Sequence, residues 1–476
     1  MQLTKLRKWL VLLNVSISIF MATLDGSIVN IALPIIKTYL SVNISSIQWV
    51  VTSYLLAISV LLLIWGKLAD LYGKKKVFLF GFIIFSVGSG LCGISSSLEM
   101  LVISRIIQAV GASSMMALSQ GIVTSIFDHG ERGMALGITG TTVAIGSLTG
   151  PVLGGILVHN FGWHSIFLVN IPIGIIGTIF TILVIPEINE VSENKKFDFL
   201  GSILFIAAIL LMFMGLLFLQ DAKISGIVFI IMFISALVVL GLFLMRQRRI
   251  DTPLIDVGLF KIKVFSLGLT TAFLSFIALF STIYFMPFYL ENVMKFDALK
   301  AGLLMSAYPF TMAIIAPFSG ALSDKITYKP LTIIGLAINA LVLLVVSTLN
   351  RTSSIVEIVI LMAMLGAGVG IFQSPNNSSV MGSVPRNQLG AAGGINALFR
   401  NIGMVSGTTL SVLLFTFTTN INLNSVSKDN GGFNPEVFLK GFHIVFIFAA
   451  CSCAVALVLS LLRLSEKKMA LVKLRD

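Results

Sequence analysis

The sequence predicts an all-α integral membrane protein, and three observations support this fold class. Hydrophobic residues make up 57% of the 476 residues and charged residues only 11%, whereas a soluble domain carries about 25% charged residues. The mean hydropathy is +1.02. The apolar residues also fall into long runs that are separated by short charged loops. A soluble globular domain of this length does not need so much apolar sequence, so we expect a multi-pass membrane protein.

A membrane-spanning helix needs about 20 mostly apolar residues. Fourteen runs in the sequence meet this requirement. They lie at 9–33, 46–66, 77–97, 98–122, 134–158, 162–186, 199–219, 225–245, 265–288, 300–322, 331–349, 355–376, 391–418 and 440–463.

The positions of the basic residues predict the orientation of these spans. If the N-terminus is cytoplasmic, the inner segments hold 23 Lys and Arg residues and the outer segments hold 7. Cytoplasmic loops carry an excess of these residues, so both termini are expected in the cytoplasm. The net charge of +12 therefore follows from membrane topology, and no nucleic-acid partner is expected.

An internal repeat predicts two related halves. The loop GKLADLYGKKKV (66–77) and the loop GALSDKITYKPL (320–331) align at an offset of 254 residues, which matches Asp70 with Asp324. The same offset superimposes spans one and five on spans nine and thirteen. Secondary transporters are built from such repeats, with the substrate site at their interface. We therefore expect an N-terminal six-helix half (1–198), two inserted transmembrane helices (199–245) and a C-terminal six-helix half (246–476).

Several motifs resemble those of the major facilitator superfamily. The 66–76 loop is similar to the signature that follows the second helix of that family. LVISRIIQAVGAS (101–113) is similar to its fourth-helix motif, with Ala109 where Gly is more usual, and GSLTGPVLGG (146–155) is similar to its antiporter motif. LDGSIVNIALP (24–34) and WHSIFLVNIPIG (163–174) resemble the fourteen-span drug:proton antiporter subfamily. The resemblance implies a major facilitator fold and export driven by protons.

Asp25 and Arg105 are the predicted proton-coupling residues. Asp25 is the one acidic residue well inside a predicted span, and an ionised carboxylate there costs about 2.5–3.5 kcal/mol. Low dielectric disfavours its charged form, which suits reversible protonation. Arg105 lies at a matching depth in the fourth span and is the expected partner. The structural alternatives are a fixed ion pair between two helices, or an Arg105 that is bonded to backbone carbonyls.

Two further sets of residues have predicted mechanical roles. The first set forms a cytoplasmic gate in the 66–76 loop, where Asp70 caps or pairs across the halves in one conformation only; its members are Gly66, Asp70, Gly73, Lys74 and Lys75. The second set is the antiporter motif, where small residues around a helix-kinking proline allow close packing; its members are Gly146, Gly150, Pro151, Gly154 and Gly155.

Polar residues inside apolar runs are the predicted walls of the substrate cavity. They are Asn30, Gln48, Tyr54, Gln108, Asn170, Gln373, Asn376, Asn396 and Arg400. The alternative for the uncharged members is hydrogen bonding between helices. Arg400 either faces the cavity, where it favours an anionic group, or bonds helix C-terminal carbonyls.

The predicted function is proton-coupled antiport that exports amphipathic drugs or toxic small molecules across the plasma membrane of a bacterium. The alternative is a dedicated exporter of an endogenous lipid, peptide or nucleotide metabolite. An enzyme is not expected, because no cluster of His, Cys or acidic residues occurs at one depth. No phosphate-binding loop is present, so we expect an ion gradient as the driving force, no cofactor and no metal. A single carboxylate without a neighbouring oxygen cluster favours H⁺ over Na⁺ as the coupling ion. The expected partners are the substrate, protons and the lipid bilayer, and the protein is expected to act as a monomer.

Overall fold

The computed structural model describes residues 4–128, 130–187, 196–219, 226–419 and 434–463, and these ranges contain helices and loops but no strand. Several of the basic residues counted for the orientation lie outside the described residues. They are Lys195, Lys223, Lys428, Lys467, Lys468, Lys473 and Arg475.

The described residues form seventeen α-helices, of which three are short. In chain order they are α1 (Lys5–Tyr39), α2 (Ile44–Ile47), α3 (Trp49–Tyr72), α4 (Lys74–Gly93), α5 (Leu98–Ile126), α6 (Arg132–Phe161), α7 (Ser165–Leu168), α8 (Asn170–Val184), α9 (Phe199–Leu219), α10 (Gly226–Gln247), α11 (Lys263–Phe288), α12 (Ala298–Met305), α13 (Ala307–Ile326), α14 (Tyr328–Val346), α15 (Ile355–Gly382), α16 (Leu389–Thr419) and α17 (Pro435–Leu461).

Within the described ranges, thirteen helical segments are long and apolar enough to cross a membrane. Together they make the chain a multi-pass membrane protein. The predicted span 199–219 coincides with α9, whose described apolar part, Phe199–Gly215, is shorter than the other spans. Helix α1 extends beyond the predicted 9–33 run at both ends, so Asp25 lies nearer the middle of its helix than that run implies.

The helices pack in two groups joined by a smaller set of contacts. In the first group α4 and α3 pack on α5, and α1 packs on α6; in the second, α13 and α14 pack on α15, and α11 packs on α16 and α17. Contacts between the groups are made by α6 with α13, and by α16 with α3 and α5. The added helices α9 and α10 pack on each other, and α9 also contacts α3 and α16. The division at residues 198 and 245 stays a prediction.

We call the end of the bundle that carries residues 66–76 the base. Asp198 ties α9 and α10 together there, since its buried carboxylate accepts hydrogen bonds from Arg246 Nε (2.9 Å), Gln247 Nε2 (2.8 Å) and Gly201 N (2.8 Å). Burial raises the pKa of the Asp198 carboxyl, but the bonds from Arg246, Gly201 and Gln247 outweigh it and hold the pKa below its ordinary value. The carboxylate therefore stays ionised and links the two helices.

Candidate functional site

A buried acid–base pair lies in the interior of the first helix group. Asp25 on α1 and Arg105 on α5 are 0% and 1% exposed, and Arg105 Nη1 donates to Asp25 Oδ2 over 2.6 Å. Arg105 Nη1 also donates to Gln108 Oε1 (2.6 Å), and Arg105 Nε donates to the carbonyl of Val50 on α3 (3.1 Å). The guanidinium therefore links α1, α3 and α5.

The second carboxylate oxygen of Asp25 is also saturated. Oδ1 accepts from Gln108 Nε2 (2.8 Å) and from Asn170 Nδ2 at the start of α8 (3.2 Å). Gln108 Nε2 donates in turn to Ser89 Oγ on α4 (2.8 Å). The Tyr54 ring lies 3.8 Å from the Arg105 guanidinium carbon, a cation–π contact. A single carboxylate therefore holds a polar network to which five of the membrane helices contribute.

Local sequence explains why these side chains meet. Ser97 caps the N-terminus of α5 by accepting from the Met100 N–H (3.2 Å), which fixes where the helix begins. Gly88 of α4 lies directly against the Gln108 backbone, where a Cβ would collide with it. This close approach places the neighbouring Ser89 within hydrogen-bonding distance of the Gln108 side chain.

The antiporter motif forms a glycine seam between α6 and α1. Added Cβ atoms at Gly146, Gly150 and Gly154 would collide with Thr23, Ser27 and Ile28 of α1, respectively. Ser27 Oγ also donates to the Gly146 carbonyl (3.2 Å). Gly155 differs, because nothing lies within 4 Å of the position its Cβ would take. The seam thus presses against the segment of α1 that carries Asp25.

At the base, Asp70 at the end of α3 binds the N-terminus of α16 in the other helix group. Its two carboxylate oxygens accept from the backbone N–H groups of Gly390 and Ala391, each over 2.8 Å. Gly66 lies one turn earlier against the Gly390 carbonyl, with no room for a Cβ. A helix N-terminus carries partial positive charge and free N–H groups, so it favours this carboxylate.

Asp324 makes the reciprocal contact at the end of α13. Its oxygens accept from the N–H groups of Gly133 (2.8 Å) and Met134 (3.1 Å) at the N-terminus of α6. Ser374 Oγ on α15 donates to the Gly133 carbonyl (2.9 Å). Each helix group therefore supplies one acid that caps a helix of the other group, and the repeat offset of 254 residues relates the two acids.

The other residues of the predicted gate lie around the turn between α3 and α4. Gly73 has φ +98°, a conformation that favours glycine. Lys74 is buried, at 2% exposure. Lys75 Nζ donates to the Ile182 carbonyl of α8 (2.8 Å), within its own helix group. Of this set, Gly66 and Asp70 contact the other group.

A polar layer lies between the two groups, about two turns above the base. Asn396 Nδ2 of α16 donates to Gln120 Oε1 of α5 (2.6 Å) and to Asn377 Oδ1 of α15 (3.1 Å). Asn376, also a predicted cavity residue, instead accepts from Arg463 Nη1 (2.7 Å) inside the second group. Its Nδ2 donates to the Gly268 carbonyl of α11 (3.2 Å).

The remaining predicted cavity residues are less enclosed. Asn30 is exposed and donates to the Gly26 carbonyl of its own helix (3.2 Å), and Gln48 is exposed at the start of α3. Gln373 and Arg400 are half-buried, and the buried atoms Gln373 Oε1 and Arg400 Nε make no hydrogen bond. Arg400 therefore bonds no helix C-terminal carbonyl among the described residues.

Sequence reasoning missed several contributors to these contacts, among them Ser89, Gln120, Ser374, Asn377 and the capping role of Asp324. A serine in an apolar helix carries little signal, because its hydroxyl usually bonds its own backbone. Asp324 had a usable signal, since the repeat aligns it with Asp70. Within the described residues, no group of three or more His, Cys, Asp or Glu could hold a metal ion.

Comparisons with known proteins agree with this architecture. A family model described as the Major Facilitator Superfamily matches residues 15–408. The riboflavin transporter RibZ of Clostridioides difficile strain 630 is 35% identical over 466 residues, covering 98% of this chain and 100% of that protein. Multidrug resistance protein Stp of Mycobacterium tuberculosis is 32% identical over 401 residues, covering 84% and 74%.

The fold also matches solved structures. The crystal structure of the human organic anion transporter MFSD10 (TETRAN) aligns with a TM-score of 0.68 at 15% identity, covering 95% of this chain and 99% of that one. At this identity the match establishes the shared helical fold.

Proposed function

The chain belongs to the major facilitator superfamily of plasma-membrane transporters, and we propose that it is a proton-coupled antiporter that exports amphipathic small molecules. The observation that carries the proposal is the Asp25–Arg105 pair, which is 0% and 1% exposed and lies beside the glycine seam of α1 and α6. Relatives whose names denote multidrug resistance support the export direction and the substrate class. The fourteen-span drug:proton antiporter subfamily is the proposed group.

In the proposed cycle the contacts between the halves at the base close the cytoplasmic side of the bundle. Asp70 and Asp324 cap helices of the opposite half, and these bonds exist only while the two halves meet at the base. Protonation of Asp25 removes its attraction for Arg105 and weakens the bonds that it accepts from Gln108 and Asn170. Helix α1 can then shift along the glycine seam, and the halves rock until the base opens. Proton release from Asp25 restores the pair.

The topology is part of the proposal. Helix α9 is 21 residues long, about 31 Å at 1.5 Å per residue, which suffices for a hydrocarbon core of about 30 Å. We therefore count it as the fourteenth span, with both termini cytoplasmic. Fluorescent and alkaline phosphatase fusions at the C-terminus test this, since a phosphatase-active C-terminus places that end outside. No cofactor is required, because the proton gradient supplies the driving force, and the protein works as a monomer.

The test is collapse of a proton gradient in inside-out vesicles, followed with a pH-sensitive dye. Lipophilic cations, zwitterions and anions are added to wild type, to Asp25→Asn and to a vesicle preparation that lacks the protein. Wild type should release protons on addition of substrate, and Asp25→Asn should not. Proton release that persists in Asp25→Asn contradicts the coupling role.

A second candidate substrate follows from one comparison. The riboflavin transporter RibZ is similar over its whole length, which supports the alternative of a dedicated transporter for an endogenous metabolite. Riboflavin and flavin mononucleotide therefore belong in the same panel. If they alone release protons, the chain is a dedicated exporter; if several unrelated amphipathic compounds do so, it is a multidrug transporter.

A further inference from the structure

Arg400 is a half-buried cation within a membrane span, and the described structure leaves it unpaired. Arg105 is paired with Asp25, Arg463 bonds Asn376 and Ser379, and Arg246 bonds Asp198. Arg400 makes no hydrogen bond or ion pair with any described residue, and its Nε is buried without a partner. An unpaired guanidinium inside a membrane span is costly, so Arg400 is the side chain of this region that is best placed to bind an anionic ligand.

Arg400 lies where one face of α16 passes from contacts with the opposite half to contacts with its own half. Asn396, four residues before Arg400 on that face, bonds Gln120 of α5 in the opposite half. Gly403, three residues after Arg400 on the same face, lies against Phe273 of α11 in its own half. The Arg400 side chain is therefore at the border between the two halves.

Depth is fixed by the polar layer. Asn396 and Asn377 are bonded to each other, and α15 and α16 run in opposite directions. Arg400 follows Asn396 by four residues and Gln373 precedes Asn377 by four, so both lie one turn, about 6 Å, farther from the base. The buried Gln373 Oε1 also lacks a partner. Two unsatisfied polar side chains therefore occupy one level, immediately above the layer that closes the space between the halves.

We infer that Arg400 and Gln373 form an anion-binding subsite, and that the transported molecules include amphipathic compounds bearing a carboxylate, sulfonate or phosphate. The inference rests on the proposed function, because it takes the space between the halves as the substrate site. Away from the ends of the spans, Asp25 is neutralised by Arg105, so Arg400 gives the described part of this region a net positive charge. The guanidinium fork suits the oxygens of such groups. The unpaired Gln373 Oε1 is an acceptor, so it suits a hydroxyl or N–H of the same compound, whereas Arg400 binds the anionic group.

Binding to purified protein tests the subsite without relying on transport. Fluorescein, an anionic xanthene dye, and rhodamine 123, a cationic dye of similar size, are titrated by fluorescence polarisation, beside a sulfonate probe and a phosphate-monoester probe. Arg400→Gln should weaken binding of the anions about ten- to a hundredfold and leave rhodamine 123 binding unchanged. Arg400→Lys should retain part of the affinity, since it keeps the charge but loses the fork.

Several results would overturn the assignment. The subsite is rejected if wild type binds none of the three anions, or if Arg400→Gln binds them as tightly as wild type does. If Arg400→Gln loses affinity for both dyes equally, the role of Arg400 is structural. If Arg400→Gln does not fold, chemical protection of wild type replaces the variant as the test. Fluorescein should slow the modification of Arg400 by phenylglyoxal, and an unchanged modification rate refutes the inference. Added phosphatidylglycerol that displaces the dyes assigns the site to lipid headgroups instead.

The outcome is separable from that of the proposed function. Anion binding that depends on Arg400, combined with no proton release by any compound, retains the subsite and rejects proton-coupled antiport. Proton release by cations only, with no anion binding, retains antiport and rejects the subsite.

Discussion

The two cross-half caps predict how strongly the base is held closed. Each carboxylate accepts two backbone N–H bonds at a helix N-terminus, at 2.8 and 2.8 Å for Asp70 and at 2.8 and 3.1 Å for Asp324. Substitution by Asn keeps one acceptor oxygen and removes the charge. The expected loss is one charge-assisted hydrogen bond, about 1.5 kcal/mol. Each single substitution should therefore raise the population of the open base about tenfold.

The two caps act on different helix pairs, so their contributions to opening should add. The double variant Asp70→Asn/Asp324→Asn should open about a hundredfold more often than wild type, provided that the closed state still dominates. A matched control is Asp251→Asn, because Asp251 is an exposed acid in the segment between α10 and α11 that makes none of these caps.

Opening can be measured with a cysteine reporter at Gln120, which is covered by α16 when the base is closed. Native Cys92, Cys451 and Cys453 are first replaced by serine or alanine. A membrane-impermeant thiol reagent, applied to inside-out vesicles, then reacts at a rate proportional to the open population. Unchanged rates in both single variants, or a double variant no faster than either single one, would refute the reasoning.

Three further predictions concern the seam, the buried pair and the added helices. Gly150→Ala should lose transport and cost about 1–3 kcal/mol of stability by overpacking, whereas Gly155→Ala should retain both; equal transport rates in the two variants would contradict a role for the seam. Asp25→Asn leaves Arg105 as a buried unpaired charge and should cost about 3–5 kcal/mol; adding Arg105→Gln should recover part of this in thermal melts, and strict additivity would exclude coupling. Asp198 has a lowered pKa, so its ionised carboxylate stabilises the folded protein fully above the ordinary pKa of an Asp carboxyl and less as pH falls through the lowered pKa. The difference in melting temperature between wild type and Asp198→Asn should therefore shrink in acid, and a difference that stays constant with pH would contradict this role.

The fold was predictable from the sequence because apolar length and basic loops are strong one-dimensional signals. The predicted 199–219 run coincides with α9. Most of the other predicted runs begin and end within a few residues of the ends of a helix. The ends themselves were less predictable. Amphipathic extensions such as residues 34–39 of α1 continue the helix past the apolar run, so hydropathy places Asp25 nearer the outer end than it is.

The buried pair was predictable for a related reason: charged residues inside an apolar helix are rare enough to be conspicuous, and Asp25 and Arg105 lay at similar predicted depths. Uncharged polar residues gave a weaker signal, because hydropathy does not reveal how a helix is rotated. Gln108 and Asn170 were assigned to a cavity wall, and the structure places both in the Asp25 network; their part in substrate binding stays a prediction. The cap by Asp324 could have been inferred from its alignment with Asp70 in the repeat, although the backbone N–H groups that it binds are displayed by no side-chain pattern.

The position of α9 makes the two lipid-facing seams of the molecule inequivalent. A bundle of two related halves has one seam where α3 meets α16 and another where α6 meets α13, and α9 packs against both helices of the first. Within the described ranges neither α9 nor α10 packs on the α6–α13 seam, so a hydrophobic molecule dissolved in the bilayer meets a covered flank on one side and an open one on the other. Bulky groups attached along the α6–α13 seam should slow the extraction of membrane-dissolved compounds, whereas the same groups on the lipid face of α10 should not.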